Sequence, residues 1–383
     1  MIIAIPKERR AHERRVAASP DTVKKFCGMG ADVVVEAGAG LHAGILDAQF
    51  TEAGATNAAS PAETLGNADL VLKVQRPIGA GEDGDDEVAL MKDGAVLCAI
   101  LAPTQNAEQA AAFASRNITA FAMELMPRIT RAQSMDVLSS QSNLSGYKAV
   151  LDAAEHFPRA FPMMMTAAGT VAPARVMVFG AGVAGLQAIA TAKRLGAVVS
   201  ATDVRPDTKE QVESLGGKFV APDSDESGAG EGGYAKEMSD EYKAKQAEMI
   251  AEALKKTDIA ITTALIPGRA APVLITEEHV NSMKPGSVIV DLAVEQGGNC
   301  PLSRPGEVVD HNGVKIVGHY NWPSRVAADS STLYAKNLLN FLSPHLDKET
   351  GTLNLDWEDE TVTGTALTRD GEIVHPLLKS EGA

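Results

Sequence analysis

The residues VMVFGAGVAGLQAIATAKRL, 176–195, constrain this chain more than any other stretch. A β-branched run leads into glycines spaced GxGxxG, and a helical pattern follows. Gly180 permits the tight turn after the strand. Gly182 lets backbone approach a pyrophosphate at the positive end of the helix. Gly185 lets helix and strand pack closely. A second strand, 198–202, ends at Asp203, 23 residues after Gly180. A carboxylate there accepts the adenosine ribose hydroxyls and repels a 2′-phosphate, which selects NAD(H) over NADP(H). Arg205, two residues on, works against that selection. A glycine spacing by itself describes any tight turn. The strand before it, the helix after it and the acid at the next strand end supply the context of a dinucleotide fingerprint.

The chain as a whole builds two α/β units, of which this is the second. Runs at 2–5, 32–35, 69–74, 95–100 and 118–123 read as strands separated by helical stretches. Ser19-Pro20 opens one helix as N-cap and first residue, and Gly28 or Gly30 ends it. After residue 175, further strands are expected at 258–263, 287–294 and 314–317. Residues 222–240 are rich in Gly, Ser and acids and predict a mobile loop. An amphipathic helix at 325–342 leads back to the first domain, and Asp370-Gly371 marks a hairpin. Strand–helix alternation predicts an α/β protein with two Rossmann-like, doubly wound parallel-sheet domains and a cleft between them. The expected domains are 1–130 plus 326–383, and 140–325, joined by a crossing at 126–145.

Composition excludes several classes. The 383 residues carry a net charge of −15, which repels phosphate backbones and argues against nucleic acid as partner. Cys27, Cys98 and Cys300 are too few and too scattered for a disulfide framework or a metal cluster. The eight His show no metal-ligand spacing, so no metal is expected. The longest uncharged stretches, 160–174 and 176–192, are broken by Pro162, Pro173 and Gln187 and divided by Arg175. They do not form a spanning helix. The opening MIIAIPKERR is no signal peptide, since its apolar run is short and its charges follow it. These features predict a cytoplasmic protein.

The crossing concentrates polar residues: Arg128, Arg131, Gln133, Asp136, Ser139 and Ser140. Crevices between domains of α/β enzymes hold ligands, although the same composition suits a polar linker. Tyr234, beside Gly232 and Gly233, is equally a lid tip or an incidental aromatic. Arg15 and Lys73, near the ends of early strands, are either anion holders or surface charges. No nucleophile is paired with a base.

The start MIIAIPKERRAHERRVAASP, the block MELMPRITRAQSMDVLSSQSNLSGYKAV, the glycine region and the run TTALIPGRAAPVLIT resemble the alanine dehydrogenase/transhydrogenase family. MKPGSVIVDLAVEQGGNC and GHYNWPSRVAADSS extend the likeness over nearly the whole chain. Within that family it resembles the NAD(H)-binding components of proton-translocating nicotinamide nucleotide transhydrogenase. The resemblance implies a homodimer that passes hydride from NADH to NADP⁺ held on a separate NADP(H)-binding component. A membrane-spanning component would carry the protons, with this chain attached peripherally at the inner membrane. By the same resemblance, Arg128, Asp136 and Ser139 would hold the nicotinamide carboxamide. Gln133 would reach the nicotinamide ribose and the other nucleotide. Gly180, Gly182, Val183, Gly185, Asp203, Val204, Arg205, Ala264 and Leu265 would line the nucleotide, and Gly233 and Tyr234 would tip a loop closing over it. Alanine dehydrogenases share Arg15 and Lys73 but need a histidine acid–base where strand 95–100 ends. Ile100 stands there and cannot carry a proton, which argues against amino-acid oxidation. A third expectation, a non-catalytic NAD sensor, would not need the nicotinamide-facing residues.

Overall fold

The computed structural model describes residues 1–222, 224, 226–228, 238–266, 269–348 and 350–379. The chain divides into two compact units, Met1–Gln141 with Ser324–Ala383, and Ser142–Pro323.

The first unit is built on six parallel strands: β1 (Ile2–Ile5), β2 (Asp32–Glu36), β3 (Thr56–Ala58), β4 (Leu70–Gln75), β5 (Val96–Ile100) and β6 (Thr119–Ala122). Their spatial order is β3-β2-β1-β4-β5-β6, so the order reverses between β1 and β4. The central strands are mostly apolar because both faces of the sheet are covered, Lys73 and Gln75 at the end of β4 being the exceptions. β3, with the sequence TNA, lacks that signature and was not expected. Helix α1 (Pro20–Gly28) starts as its sequence dictates. The Thr22 amide donates to the Ser19 hydroxyl at 3.3 Å, and the Ser19 amide donates to the Thr22 hydroxyl at 2.9 Å. Gly30, at φ +82°, takes the left-handed turn that follows.

Helix α2 (Val137–His156) carries the chain from the first unit into the second. A Cβ on Gly146 would lie 2.0 Å from the Ala184 carbonyl, so α2 passes directly against the start of the helix that follows the glycine turn. Next comes an unexpected hairpin, β7 (Met164–Thr166) and β8 (Gly169–Val171). It lies in the uncharged stretch 160–174 and leaves Met163, Met164 and Met165 exposed.

The second unit has seven strands: β9 (Arg175–Phe179), β10 (Val198–Thr202), β11 (Lys218–Phe219), β12 (Ile259–Thr262), β13 (Val288–Asp291), β14 (Glu307–His311) and β15 (Val314–Gly318). The order is β11-β10-β9-β12-β13-β15-β14, with only β14 antiparallel. It reverses between β9 and β12. Helix α3 (Val183–Arg194) follows the glycine turn. The strand expected to reach residue 294 stops at Asp291. Its own carboxylate accepts from the Ala293 amide at 3.0 Å and bends the chain out of the sheet. β14 was missed because its polar sequence EVVDH sits on an edge. The chain then returns to the first unit through α4 (Ala327–Leu342), whose Tyr334, Leu338 and Phe341 join the core that contains Ile3, Phe26 and Leu72. Near the end, Asp370 and Gly371, both at positive φ, turn between paired strands Thr368–Arg369 and Glu372–Ile373. Among the described residues no helix is long and apolar enough to cross a membrane.

Candidate functional site

The glycine turn lies where the strand order of the second unit reverses, the position at which doubly wound sheets bind ligands. Gly180 adopts φ +95°, and a Cβ on it would lie 2.6 Å from Thr263 Oγ1. A Cβ on Gly185 would lie 1.8 Å from the Gly180 carbonyl oxygen. Both positions therefore admit glycine alone. Gly182 is open: the nearest neighbour to a Cβ there is Arg205 Nη2 at 3.9 Å. It is also the N-cap of α3 and contributes no side chain, so the first amides of the helix stay accessible to an anion. Val183, the first residue of α3, is exposed. This cradle, which any side chain would fill, fits a pyrophosphate.

Asp203 follows β10 and is buried. It accepts from the Ala181 amide at 2.7 Å, tying the second strand end to the glycine turn. Arg205 closes on the same carboxylate through its amide and its guanidinium. Val204 receives the chain as it returns from the polar region: the Gly228 amide donates to its carbonyl at 2.8 Å. The Glu226 carboxylate accepts from the Ser239 amide at 2.9 Å, which bridges the two described ends of that region. Gly233 and Tyr234 lie outside the described residues.

The segment after β12 completes this edge. The Thr263 hydroxyl lies 3.2 Å from the Phe179 carbonyl and 3.1 Å from that of Gly180, so it is pinned to the glycine turn. The Ala264 amide donates to Asn299 Oδ1 at 3.1 Å. Leu265 is exposed beside it. Asn299 was not singled out from the sequence. Its only trace there is the pair of glycines before it, Gly297 and Gly298, both at positive φ.

In the first unit, Asp136 precedes α2 and caps it. Its Oδ1 accepts from the Ser139 amide at 2.9 Å and its Oδ2 from the Ser139 hydroxyl at 2.6 Å. Arg128 and Gln133 are exposed on the turns before it. The other two members of the polar cluster are committed elsewhere. Arg131 forms a two-pronged ion pair with Asp359, and the Ser140 hydroxyl donates to Asn337 Oδ1 at 2.7 Å. The Arg131 guanidinium holds the Asp359 carboxyl well below the usual range.

Arg15 and Lys73 are not surface charges, the plainer of the two sequence readings: they expose 3% and 1% of their surface. Arg15 Nε and Nη2 donate to the two Glu13 oxygens at 2.8 and 2.6 Å, and Nη1 donates to Gln141 Oε1 at 2.8 Å. Lys73 Nζ lies 3.1 Å from Glu87 Oε1 and 3.4 Å from Glu8 Oε2. Glu8 Oε1 accepts from the Val74 amide at 2.6 Å, where the register between β4 and β5 shifts. Glu8 follows β1, and Lys73 to Gln75 end β4. This ion cluster therefore occupies the reversal point of the first unit's sheet. Burial pushes the Glu8 carboxyl up to about 7, partly opposed by Lys73. Ile100 ends β5, and the amides of Leu101 and Ala102 beyond it donate to the Glu124 carboxylate.

Two family models meet close to the Gln141 boundary, and the second also takes in the return segment 324–376, which belongs to the first unit. Residues 4–145 match the N-terminal domain of the alanine dehydrogenase/PNT family, and residues 149–376 match its C-terminal domain. The chain is 67% identical over 385 aligned residues, spanning both chains fully, to an NAD(P) transhydrogenase alpha-subunit chain of Rhodospirillum rubrum. It is 54% identical to the solved transhydrogenase from Sinorhizobium meliloti, with a TM-score of 0.87 over 98% of this chain and 100% of that one. An alanine dehydrogenase of Halomonas elongata is 33% identical, covering 91% of this chain and 88% of the relative.

Proposed function

The chain belongs to the alanine dehydrogenase/PNT family, and on that premise we propose that it is the NAD(H)-binding component of a proton-translocating transhydrogenase. One observation carries this reading. Of the two reversal points, the second unit's is an open glycine cradle, whereas the first unit's is filled by Glu8, Lys73, Glu13 and Arg15. One chain thus offers one evident dinucleotide site, and a second nucleotide arrives on another protein.

In this reading the turn Gly180–Gly185 and the start of α3 hold the pyrophosphate. Asp203 takes the adenosine ribose, with Val204 and Arg205 beside it, and Gly233 and Tyr234 close over the bound nucleotide. Arg128, Asp136 and Ser139 orient the nicotinamide carboxamide. Asp136 already uses both oxygens on Ser139, so the pair acts as one fixed acceptor and donor set. Gln133, exposed, reaches the nicotinamide ribose and the partner's nucleotide. NADH supplies the hydride, and NADP⁺ on the partner component receives it. The protein's task is alignment and exclusion of water, so no acid–base pair is required. A membrane component couples the exchange to proton movement, with this chain attached peripherally on the cytoplasmic side. The chain works as a homodimer, whose contact we assign to the exposed methionine hairpin β7–β8.

Alanine dehydrogenase activity is the alternative that the family name carries. Ile100 offers no proton at the end of β5, and the cations Arg15 and Lys73 are already neutralised by the chain's own glutamates. The deciding experiment assays the purified chain with NADH in three mixtures: an NADP⁺ analogue alone, pyruvate with ammonium, and an NADP(H)-binding partner component with NADP⁺. Fast turnover is expected in the third mixture. Robust NADH oxidation by pyruvate and ammonium would establish the alternative instead.

A further inference from the structure

Beneath the nucleotide edge of the second unit lies a buried polar system that the glycine fingerprint does not include. Asp291, the last residue of β13, is fully buried. Its Oδ1 accepts from Thr262 Oγ1 at 3.2 Å and the Ala293 amide at 3.0 Å. Its Oδ2 accepts from the Asn299 amide at 2.9 Å, the Cys300 amide at 3.2 Å and Ser303 Oγ at 2.7 Å. Five donors from three chain segments converge on one carboxylate, and it forms no ion pair among the described residues. Such a group is a rigid node, because moving any donor away leaves a buried charge less satisfied.

Asn299 hangs from that node and is itself fully buried. Its Oδ1 accepts from the Ala264 amide at 3.1 Å. Its Nδ2 donates to the Ala264 carbonyl at 2.9 Å and to the Pro272 carbonyl at 2.8 Å. Its own carbonyl accepts from the amides of Leu274 and Ile275 at 2.9 and 3.0 Å. One side chain therefore fixes both backbone groups of Ala264 and their separation from Pro272. A leucine has the same branched skeleton, but it would hold none of these groups. Packing does not explain an asparagine here; holding the Ala264 peptide does.

The position of Ala264 gives that hold a consequence. A Cβ on Gly180 would lie 3.5 Å from the Ala264 nitrogen, so this peptide flanks the glycine turn across the reversal point. In a doubly wound sheet the two halves of a dinucleotide lie over the two halves of the strand order. Asp203, at the end of β10, marks the adenosine half. The ends of β12 and β13 therefore face the nicotinamide half.

We infer that Asn299, anchored by Asp291, is a positioning residue that sets the Ala264–Leu265 backbone against the nicotinamide half of the nucleotide; this rests on the nucleotide reading above. The two residues act through the backbone and touch no reacting atom. Their loss is felt by ligands that carry a nicotinamide and not by those that stop at adenosine.

The test compares NADH with AMP. Equilibrium dialysis of the full-length Asn299→Ala protein should show NADH binding weakened about tenfold, with AMP binding within about twofold of wild type. Hydride transfer to a partner-bound NADP⁺ should slow as well. Amide exchange at Ala264 should speed up in the variant while the rest of the second unit keeps its protection. Equal losses for NADH and AMP would mean general loosening and overturn the inference, as would no loss for either. If the variant does not fold, the wild-type protein decides. NADH, but not AMP, should slow exchange at Ala264 and Leu265, and an unchanged rate with NADH bound overturns the proposal. A wild-type chain that binds neither ligand would sink the nucleotide reading instead.

Discussion

Arg205 closes on Asp203 through two side-chain nitrogens, Nε at 2.9 Å from Oδ1 and Nη2 at 2.7 Å from Oδ2. With the amides of Ala181 and Arg205 added, four donors meet the four lone-pair directions of the carboxylate. A ribose that binds Asp203 must therefore exchange places with the guanidinium. The pair also keeps a cation beside the position a 2′-phosphate would take. Asp203→Ala frees that cation. We expect NADPH binding to strengthen and NADH binding to weaken, with their ratio shifting by at least about tenfold. The Asp203→Ala/Arg205→Ala double variant should lose the preference altogether. Dialysis that finds the wild-type ratio preserved in the single variant would remove Asp203 from nucleotide selection.

Within the crossing, neighbouring residues should separate cleanly in kinetics. Gln133 is exposed, whereas Arg131 is spent on Asp359. Gln133→Ala should slow single-turnover hydride transfer by about tenfold or more with NADH affinity nearly unchanged, since much of the binding energy lies in adenosine and pyrophosphate. Arg131→Gln should leave transfer at the wild-type rate. Asp136→Asn keeps a good N-cap for α2, so its slowed transfer would report orientation and not helix loss. Matching rates for wild type, Gln133→Ala and Asp136→Asn would return this segment to a linker.

The ion cluster at the first unit's reversal point predicts a pH dependence of stability. The Glu8 carboxyl, at about 7 in the folded chain against 4.5 ordinarily, binds its proton more tightly when folded. Its contribution is full below the unfolded value and falls as pH rises toward 7. That loss amounts to about 3 kcal/mol from this group alone. Lys73, Glu13 and Glu87 face it, with Arg15 beyond Glu13. Urea midpoints should fall between pH 5 and 7 in the wild type and run flatter in Glu8→Gln. Parallel slopes in the two proteins would place the proton elsewhere.

The hairpin β7–β8 exposes three consecutive methionines, with Met165 78% accessible. Adaptable apolar side chains on an unpaired antiparallel edge suit a second copy of the same hairpin. Met164→Asp together with Met165→Asp should shift the chain from dimer to monomer in sedimentation at micromolar concentration, with NADH binding retained. A dimer of unchanged stability would move the contact off the hairpin.

The sequence by itself determined what short-range chemistry decides. The Ser19–Thr22 cap, the Gly180 turn, the alternation of strands with helices and the Asp370-Gly371 turn each depend on residues within a few positions of one another. Only the tertiary structure decided which charges are spent and which are offered. Glu8 reaches the Val74 amide across 66 residues, Arg131 reaches Asp359 across 228, and Asn299 reaches Ala264 across 35. Periodicity marks Arg15 and Lys73 merely as basic positions near strand ends, and Arg131 as one on a polar turn. Strand order brings Glu8 to Lys73, and burial makes the pairing of Lys73 and of Arg15 obligatory, because an unpaired charge in the interior costs far more than one at the surface, where Arg131 meets Asp359. The same physics hid Asn299: its importance lies in three backbone groups that become neighbours only after β12 and β13 lie side by side.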